Sequence, residues 1–198
     1  MGLAGLLLAA CTHSLIVVKP DIPGDLRPAR THDYPVGEYF GPSVTWIAGT
    51  AIFKTSDCSA HEFPYSVGSD MADLLKEIDR ASFSRVDPLT GPRQEIPGVR
   101  RTIAFELALM RVSLSSERIS WGTARRTVEA ELEIRVVLST DGHRVPLDKV
   151  IGRGEAQALG SVFAGCGAIG DLIPTAIGRS LQAAAADYMT RIADPRRF

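Results

Sequence analysis

The segment from Thr127 to Leu138 restricts the fold more than any other part of this chain. Val128, Ala130, Leu132, Ile134, Val136 and Leu138 alternate with Thr127, Glu129, Glu131, Glu133 and Arg135, and Val137 is the one apolar residue out of phase. A period of two is the period of a β-strand, whose successive side chains point to opposite faces. Such a strand needs an apolar layer over one face and tolerates water on the other, as in an antiparallel sheet covered on one side.

Its neighbours follow the same logic. Ile103, Phe105, Leu107 and Leu109 alternate with Ala104, Glu106 and Ala108; the phase changes at Met110, so that Val112 and Leu114 continue the apolar side. A phase change inside a strand predicts a bulge. Asp141-Gly142 predicts a hairpin turn, with a return strand from Arg144 to Glu155. Pro146 and Gly152 place that return strand at an edge or give it a bulged start.

Two segments carry the helical period instead. After Ser69 or Asp70 as cap, Met71, Leu74, Leu75 and Ile78 share a face, leaving Lys76, Glu77, Asp79 and Arg80 to water. From Asp171 to Ala193, Ile173, Ile177, Leu181, Ala184, Tyr188 and Ile192 form a second stripe. Pro174 sits in the first turn, where its missing amide proton removes no intrahelical bond. Val44 to Phe53 reads as one further strand, loosened at Gly49.

The remaining segments read as irregular. Leu15 to Val18 is a short apolar run, the start of a tether or a first strand. Residues 21–42 are rich in proline and glycine, Thr55 to Ser69 contains Pro64 and Gly68, and Asp87 to Pro92 is a turn-rich connection. The expected fold is therefore α+β: an antiparallel sheet of about four strands with two helices packed on one face. A single domain would span 43–194, after an irregular segment 11–42 and before a short tail 195–198.

With 22 basic and 23 acidic residues the net charge is −1. No basic stripe, RNA-binding aromatic pattern or zinc-finger spacing occurs, so nucleic acid is not an expected partner. A hydrolase needs a nucleophile set against a base, and a metal site needs clustered donors. Of the four histidines, His13 and His32 fall in the irregular N-terminal part, His61 follows Asp57 and Cys58 in a loop, and His143 lies at a hairpin tip. Asp57, Cys58 and His61 read as loop polar groups with a structural cysteine.

Gly152-Arg153-Gly154, with Gly160, Gly165 and Gly167, lacks the lysine and hydroxyl ending of a phosphate loop and reads as flexible connection. Glu129, Glu131 and Glu133, spaced about 7 Å apart along one strand face, read as carboxylates on a solvated sheet. No catalytic residue, metal site or cofactor is expected. The low-charge stretch from Ala158 to Ile169, with Val162, Phe163 and Ile169, is the best candidate for a partner surface, joined by Trp121 near a strand connection. Burial of that stretch beneath the last helix is the competing reading. Trp46 stands between core and interface in the same way.

At the N-terminus, Leu3 to Ala10 is apolar and too short to cross a bilayer, which takes about 20 residues. It ends in Leu8-Ala9-Ala10-Cys11, after which Thr12-His13-Ser14 is polar. This tetrapeptide resembles the lipobox of bacterial lipoproteins. The resemblance implies export, removal of residues 1–10 as a signal-peptide remnant, and diacylation of the Cys11 sulfur. The pattern departs in one respect: a signal peptide carries a basic n-region and Met1-Gly2 has none, which a translation start lying upstream would explain; a cytoplasmic protein with a frayed apolar tip is the alternative.

Thr12 resembles the residue following the cysteine in the outer-membrane-sorted group, so the expected site is the inner leaflet of the outer membrane, facing the periplasm. With Cys11 lipidated, Cys58 and Cys166 remain as a possible disulfide in an oxidising compartment. The order of elements from Val44 to Ile192 is weakly similar to that of small lipopolysaccharide-assembly and transport-auxiliary lipoproteins. The expected partners are the bilayer, through Cys11, and an envelope protein; the expected role is noncatalytic. A peptidoglycan- or carbohydrate-binding module and an envelope hydrolase are the alternatives.

Overall fold

The computed structural model describes residues 11–18, 32–54, 61–140 and 143–194. In chain order the elements are strands β1 (Cys11–Thr12), β2 (Ile16–Val17) and β3 (His32–Phe40), the one-turn helix α1 (Pro42–Thr45), strands β4 (Ile47–Phe53) and β5 (His61–Gly68), and helix α2 (Asp70–Ser82). Strands β6 (Phe83–Pro88), β7 (Arg101–Arg118), β8 (Thr123–Thr140) and β9 (His143–Ser161) follow, then two 3₁₀ turns (Val162–Ala164 and Cys166–Leu172) and helix α3 (Ile173–Ile192).

The long alternating segments behave as their pattern predicts. β7, β8 and β9 pair antiparallel, and the six even-numbered apolar residues from Val128 to Leu138 are all buried. The bulge in β7 falls between Leu107 and Leu109, leaving Ala108 as the extra residue. It shifts the core side from Ile103, Phe105 and Leu107 to Met110, Val112 and Leu114. Leu109 is thereby turned away from the core side. Burying each large side chain contributes about 1.5–3 kcal/mol relative to leaving it exposed.

The expected four-stranded antiparallel sheet is incorrect. Among the described residues nine strands form a mixed sheet, and most of the additions are parallel. The sheet divides at β7. Over residues 101–105 its edge pairs with β3, while Ser113 and Leu114 pair with β4. Between these contacts the chain leaves the sheet through α1: the Gly41 amide donates to the Phe105 carbonyl at 2.8 Å, and the Leu107 amide to Ser43 Oγ at 3.3 Å. One strand edge thus serves two neighbours, with β6 beyond β3 and β5 beyond β4.

Residues 32–40 and 61–68 were expected to be irregular because of Pro35, Gly37, Pro64 and Gly68. Both are strands, and each proline lies where a partner is missing. Pro35 faces only β6, since pairing with β7 begins at Val36. Pro64 lies between the pair that meets β1 (His61, Glu62) and the pair that meets β2 (Tyr65, Ser66). A residue without an amide proton is tolerated at such gaps. Residues 11–18 of the segment read as a tether likewise run along β5, with Val18 buried and its amide bonded to the Ser66 carbonyl at 2.8 Å.

Both long helices occur where expected. Ser69 precedes α2, and Met71, Leu74, Leu75 and Ile78 are buried. Along α3, Ile173, Ile177, Leu181, Ala184, Tyr188 and Ile192 are buried as the stripe predicts. Of the glycines read as flexible connection, Gly152 and Gly154 sit instead in β9, under α3. A Cβ on Gly152 would overlap the Ser180 carbonyl oxygen and lie 2.8 Å from the Ala184 Cβ; one on Gly154 would overlap the Ala176 carbonyl oxygen. Gly-x-Gly on the strand faces Ala176, Ser180 and Ala184 on the helix, so the two backbones meet without intervening side chains.

Candidate functional site

The described side chains offer three concentrations of chemistry: an acidic pair in the core, a charged ladder on the open sheet face, and an apolar cluster at one end of the sheet.

The acidic pair joins α2, β3 and α3. Asp79 is buried, although its charge had placed it among the water-facing residues of its helix. The Tyr188 hydroxyl donates to Asp79 Oδ1 at 2.6 Å, and the Glu38 carboxyl neighbours that of Asp79. Two neighbouring carboxyl groups can hydrogen-bond to each other only if one of them holds a proton. Burial, then the charge of Glu38, pushes the Asp79 carboxyl well above the usual range, and burial raises Glu38 as well. Glu38 Oε1 and Asp79 Oδ2 are buried without a hydrogen-bond partner, which a shared proton would supply. The pair is enclosed by core side chains and is a structural element of the core.

On the open face, the three glutamates of β8 are each matched across strands. Lys54 pairs with Glu129, Arg153 with Glu131 at 3.2 Å and Lys149 with Glu133 at 2.5 Å. A cavity of about 450 Å³ lies over this ladder. Ion pairs this exposed contribute little to stability, about 0–1 kcal/mol each. They are carboxylates on a solvated sheet, as their alternation predicts.

The third cluster contains most of the sequence-predicted partner residues. The turn between β7 and β8 carries Ile119 and Trp121, and the end of β9 with the first 3₁₀ turn carries Leu159 and Phe163. Trp121 is 85% exposed, Phe163 76% and Leu159 68%. The Trp121 and Phe163 rings meet edge to face with centroids 6.1 Å apart. Val162 is half-buried, and its amide donates to the Gly122 carbonyl at 3.2 Å, tying the two segments together. Ile169, read as a fourth surface residue, is buried in the core and presents nothing outward. Trp46 is exposed elsewhere on the molecule.

The expected looseness of this region is also corrected. Arg126 points to the core side of β8, and its Nη2 donates to the carbonyls of Ser161 (3.0 Å) and Gly165 (3.1 Å). The Phe163 amide donates to Ser161 Oγ at 3.1 Å. Gly165 takes φ 69°, which suits a residue without a Cβ. Cys166 is disulfide-bonded, and the other two cysteines are Cys11 and Cys58. The pairing of Cys58 and its grouping with Asp57 and His61 lie outside the described residues.

Register places Cys11 at the same end. β4 runs parallel to β7 with Phe53 beside Leu114, heading toward the β7–β8 turn. β5 returns antiparallel to β4, so its first residue, His61, lies at that end, with Cys11 as its β1 neighbour. His13 Nε2 and His61 Nδ1 are 2.9 Å apart, and the His13 ring stacks on Phe63. Gly167 approaches His13, and Gly170 approaches Phe63. A cavity of about 410 Å³ is lined by Phe53, Arg118, Arg126, Val162 and Cys166.

The other histidines are spread out. His32 is buried with Nε2 2.8 Å from the Ile192 carbonyl, and the His143 side chain lies outside the described residues. Among the described residues no group of three or more potential metal ligands forms, and no helix is long and apolar enough to cross a membrane. The sequence signals for the tip were its isolated Trp121 and the low-charge run around Phe163. Nothing in the sequence showed that these would share an end with Cys11, because that depends on the parallel pairing of β1 with β5.

No protein-family model and no curated protein matches the sequence. Among solved structures the chain is similar to a Xanthomonas campestris protein of family DUF330, at 8% identity and a TM-score of 0.46, covering 92% of this chain and 98% of that one. A hypothetical protein from Chlamydia trachomatis matches at 10% identity and a TM-score of 0.35, over 81% and 98% of the two chains. A neuraminyllactose-binding hemagglutinin homologue from Helicobacter pylori matches at 8% identity and a TM-score of 0.38, over 87% and 91%. Likeness at this level assigns neither ligand nor activity.

Proposed function

We propose that the chain is a noncatalytic, periplasm-facing lipoprotein, held to the outer membrane through Cys11, that supports envelope assembly or transport by scaffolding or binding. The observation that carries this reading is the position of the lipobox-like cysteine. The apolar run ends at Cys11, and Cys11 and Thr12 pair with His61 and Glu62 at one end of the sheet. An acyl group on Cys11 would hold that end close to the bilayer without a long spacer. Anchoring would also raise the local concentration of the domain near a membrane partner, strengthening a weak contact without new interactions.

The test is expression from the native upstream region in a bacterial host, followed by mass spectrometry of the N-terminal peptide and membrane fractionation. The expected product begins at Cys11, carries a diacylglyceryl mass on it and sediments with membranes, while Cys11→Ser does not. An unmodified Cys11 in a soluble product would remove the basis for this reading. A diacylglyceryl group supplies two acyl chains, the dual signal that stable membrane attachment takes.

A further inference from the structure

We propose that the Trp121–Phe163 tip is a further membrane contact beside that anchor, a side-chain site that seats in the headgroup layer of the phospholipid bilayer. The proposal deepens the anchoring read from Cys11 and names the surface that meets the lipid. Four large apolar residues, Ile119, Trp121, Leu159 and Phe163, stand exposed on adjoining segments of one end. Exposed apolar residues scattered singly are ordinary, but a contiguous group marks a surface that is covered in use.

The chemistry of the group selects a bilayer. Tryptophan is enriched at membrane–water interfaces, where its ring lies among the headgroups and its N–H remains wet. Arg118 and Arg125 flank the turn, and long cationic side chains can rest apolar stems on the acyl boundary while their heads meet phosphates. Glu117 is the acidic neighbour, 3.5 Å from Arg125. The tip is also built before it binds. The Ile119 amide donates to the Thr123 carbonyl at 2.9 Å, and Arg126 holds the opposing segment at Ser161 and Gly165. A preformed apolar surface loses little conformational entropy on docking.

The occupant is further selected by position. Cys11 lies at this end of the sheet, so an acylated chain would bring the tip to the surface that holds the lipid. A protein partner would need no such coincidence of the two features.

The experiment uses the full chain with Cys11→Ser, which cannot be acylated, and Trp46→Phe, which leaves Trp121 as the sole tryptophan. Added to phosphatidylethanolamine–phosphatidylglycerol vesicles, Trp121 emission should shift to the blue and be quenched by lipids brominated near the headgroup. Replacing Trp121 in a Cys11→Ser chain with serine, together with Phe163→Ser, should reduce vesicle co-sedimentation by about tenfold for each aromatic. The apolar run Leu3 to Ala10 is common to all these chains, so the difference belongs to the tip. An unchanged circular dichroism spectrum and Tm would show that the substituted chains fold.

Emission that stays unshifted and unquenched, or co-sedimentation unaffected by the double substitution, overturns the proposal. So does a Trp121 crosslink in intact envelopes that reports a protein while vesicles leave the ring wet. These outcomes are separate from the mass of the Cys11 peptide: acylation can fail while the tip binds, and the tip can fail on an acylated protein.

Discussion

Asp79 shows how a single residue can be misread by its charge. Met71, Leu75 and Asp79 are spaced four apart on α2, so the helical period places the carboxyl on the buried side. What the period cannot show is the company it keeps there: Glu38 comes from β3 and Tyr188 from α3. Both carboxyl pKa values are raised in the folded state, which therefore binds more protons than the unfolded chain above the ordinary carboxylate range. Stability is fully present below that range and declines as pH rises through the raised values. Asp79→Asn keeps an acceptor for Tyr188 and supplies a permanent donor to Glu38. Urea titrations from pH 5 to 9 should show the wild type losing stability with rising pH and the variant changing less. The variant should be more stable at the alkaline end by about 1–3 kcal/mol, the cost of leaving a buried polar group poorly matched. A wild-type profile that rises across this interval would contradict the shared proton.

At the scale of elements, regular alternation was readable and interrupted strands were not. β7, β8, α2 and α3 announce themselves because one face of each meets a continuous apolar surface, while β3, β5 and β6 carry Pro35, Pro64 and Pro88, which ordinarily signal breaks. Their strand character comes from partners far away in sequence, and no local period encodes it. The same holds for Gly152 and Gly154, whose meaning depends on α3 lying against them. Gly154→Ala should destabilise by at least about 1–3 kcal/mol, because the added methyl meets the α3 backbone and cannot be relieved by moving a side chain. Gly178 lies on the same helix with nothing within 4 Å of its would-be Cβ, so Gly178→Ala should stabilise by about 0.5–1 kcal/mol. Chemical denaturation of the pair checks the contact, since a flexible β9 would give both substitutions the same sign.

Across the whole molecule, the division of the sheet at β7 gathers features separated by most of the chain. β4 and β5 carry the N-terminal corner to the end where the long hairpin turns. Two members of the tip were singled out by the sequence, Trp121 by its place at a strand connection and Phe163 by its low-charge run, and both are exposed. Their convergence was not legible, and Ile169 was misassigned because exposure of a glycine-rich run depends on what packs above it. The disulfide at Cys166 tests this arrangement together with the proposed anchor. With only Cys11 and Cys58 as candidates within the chain, the partner decides whether the Cys11 sulfur is available to a lipid. Peptide mapping of the unreduced protein should recover Cys58 joined to Cys166. A bridge from Cys166 to Cys11 would occupy the sulfur and exclude its acylation in that molecule. Reduction should lower stability by about 2–4 kcal/mol, the usual contribution of a bridge closing a long loop. It should also loosen the Val162–Leu172 segment first, since Arg126 would then hold it without the covalent tie. Hydrogen exchange with and without reductant would therefore show protection falling around Cys166 while the β7–β8 amides stay slow.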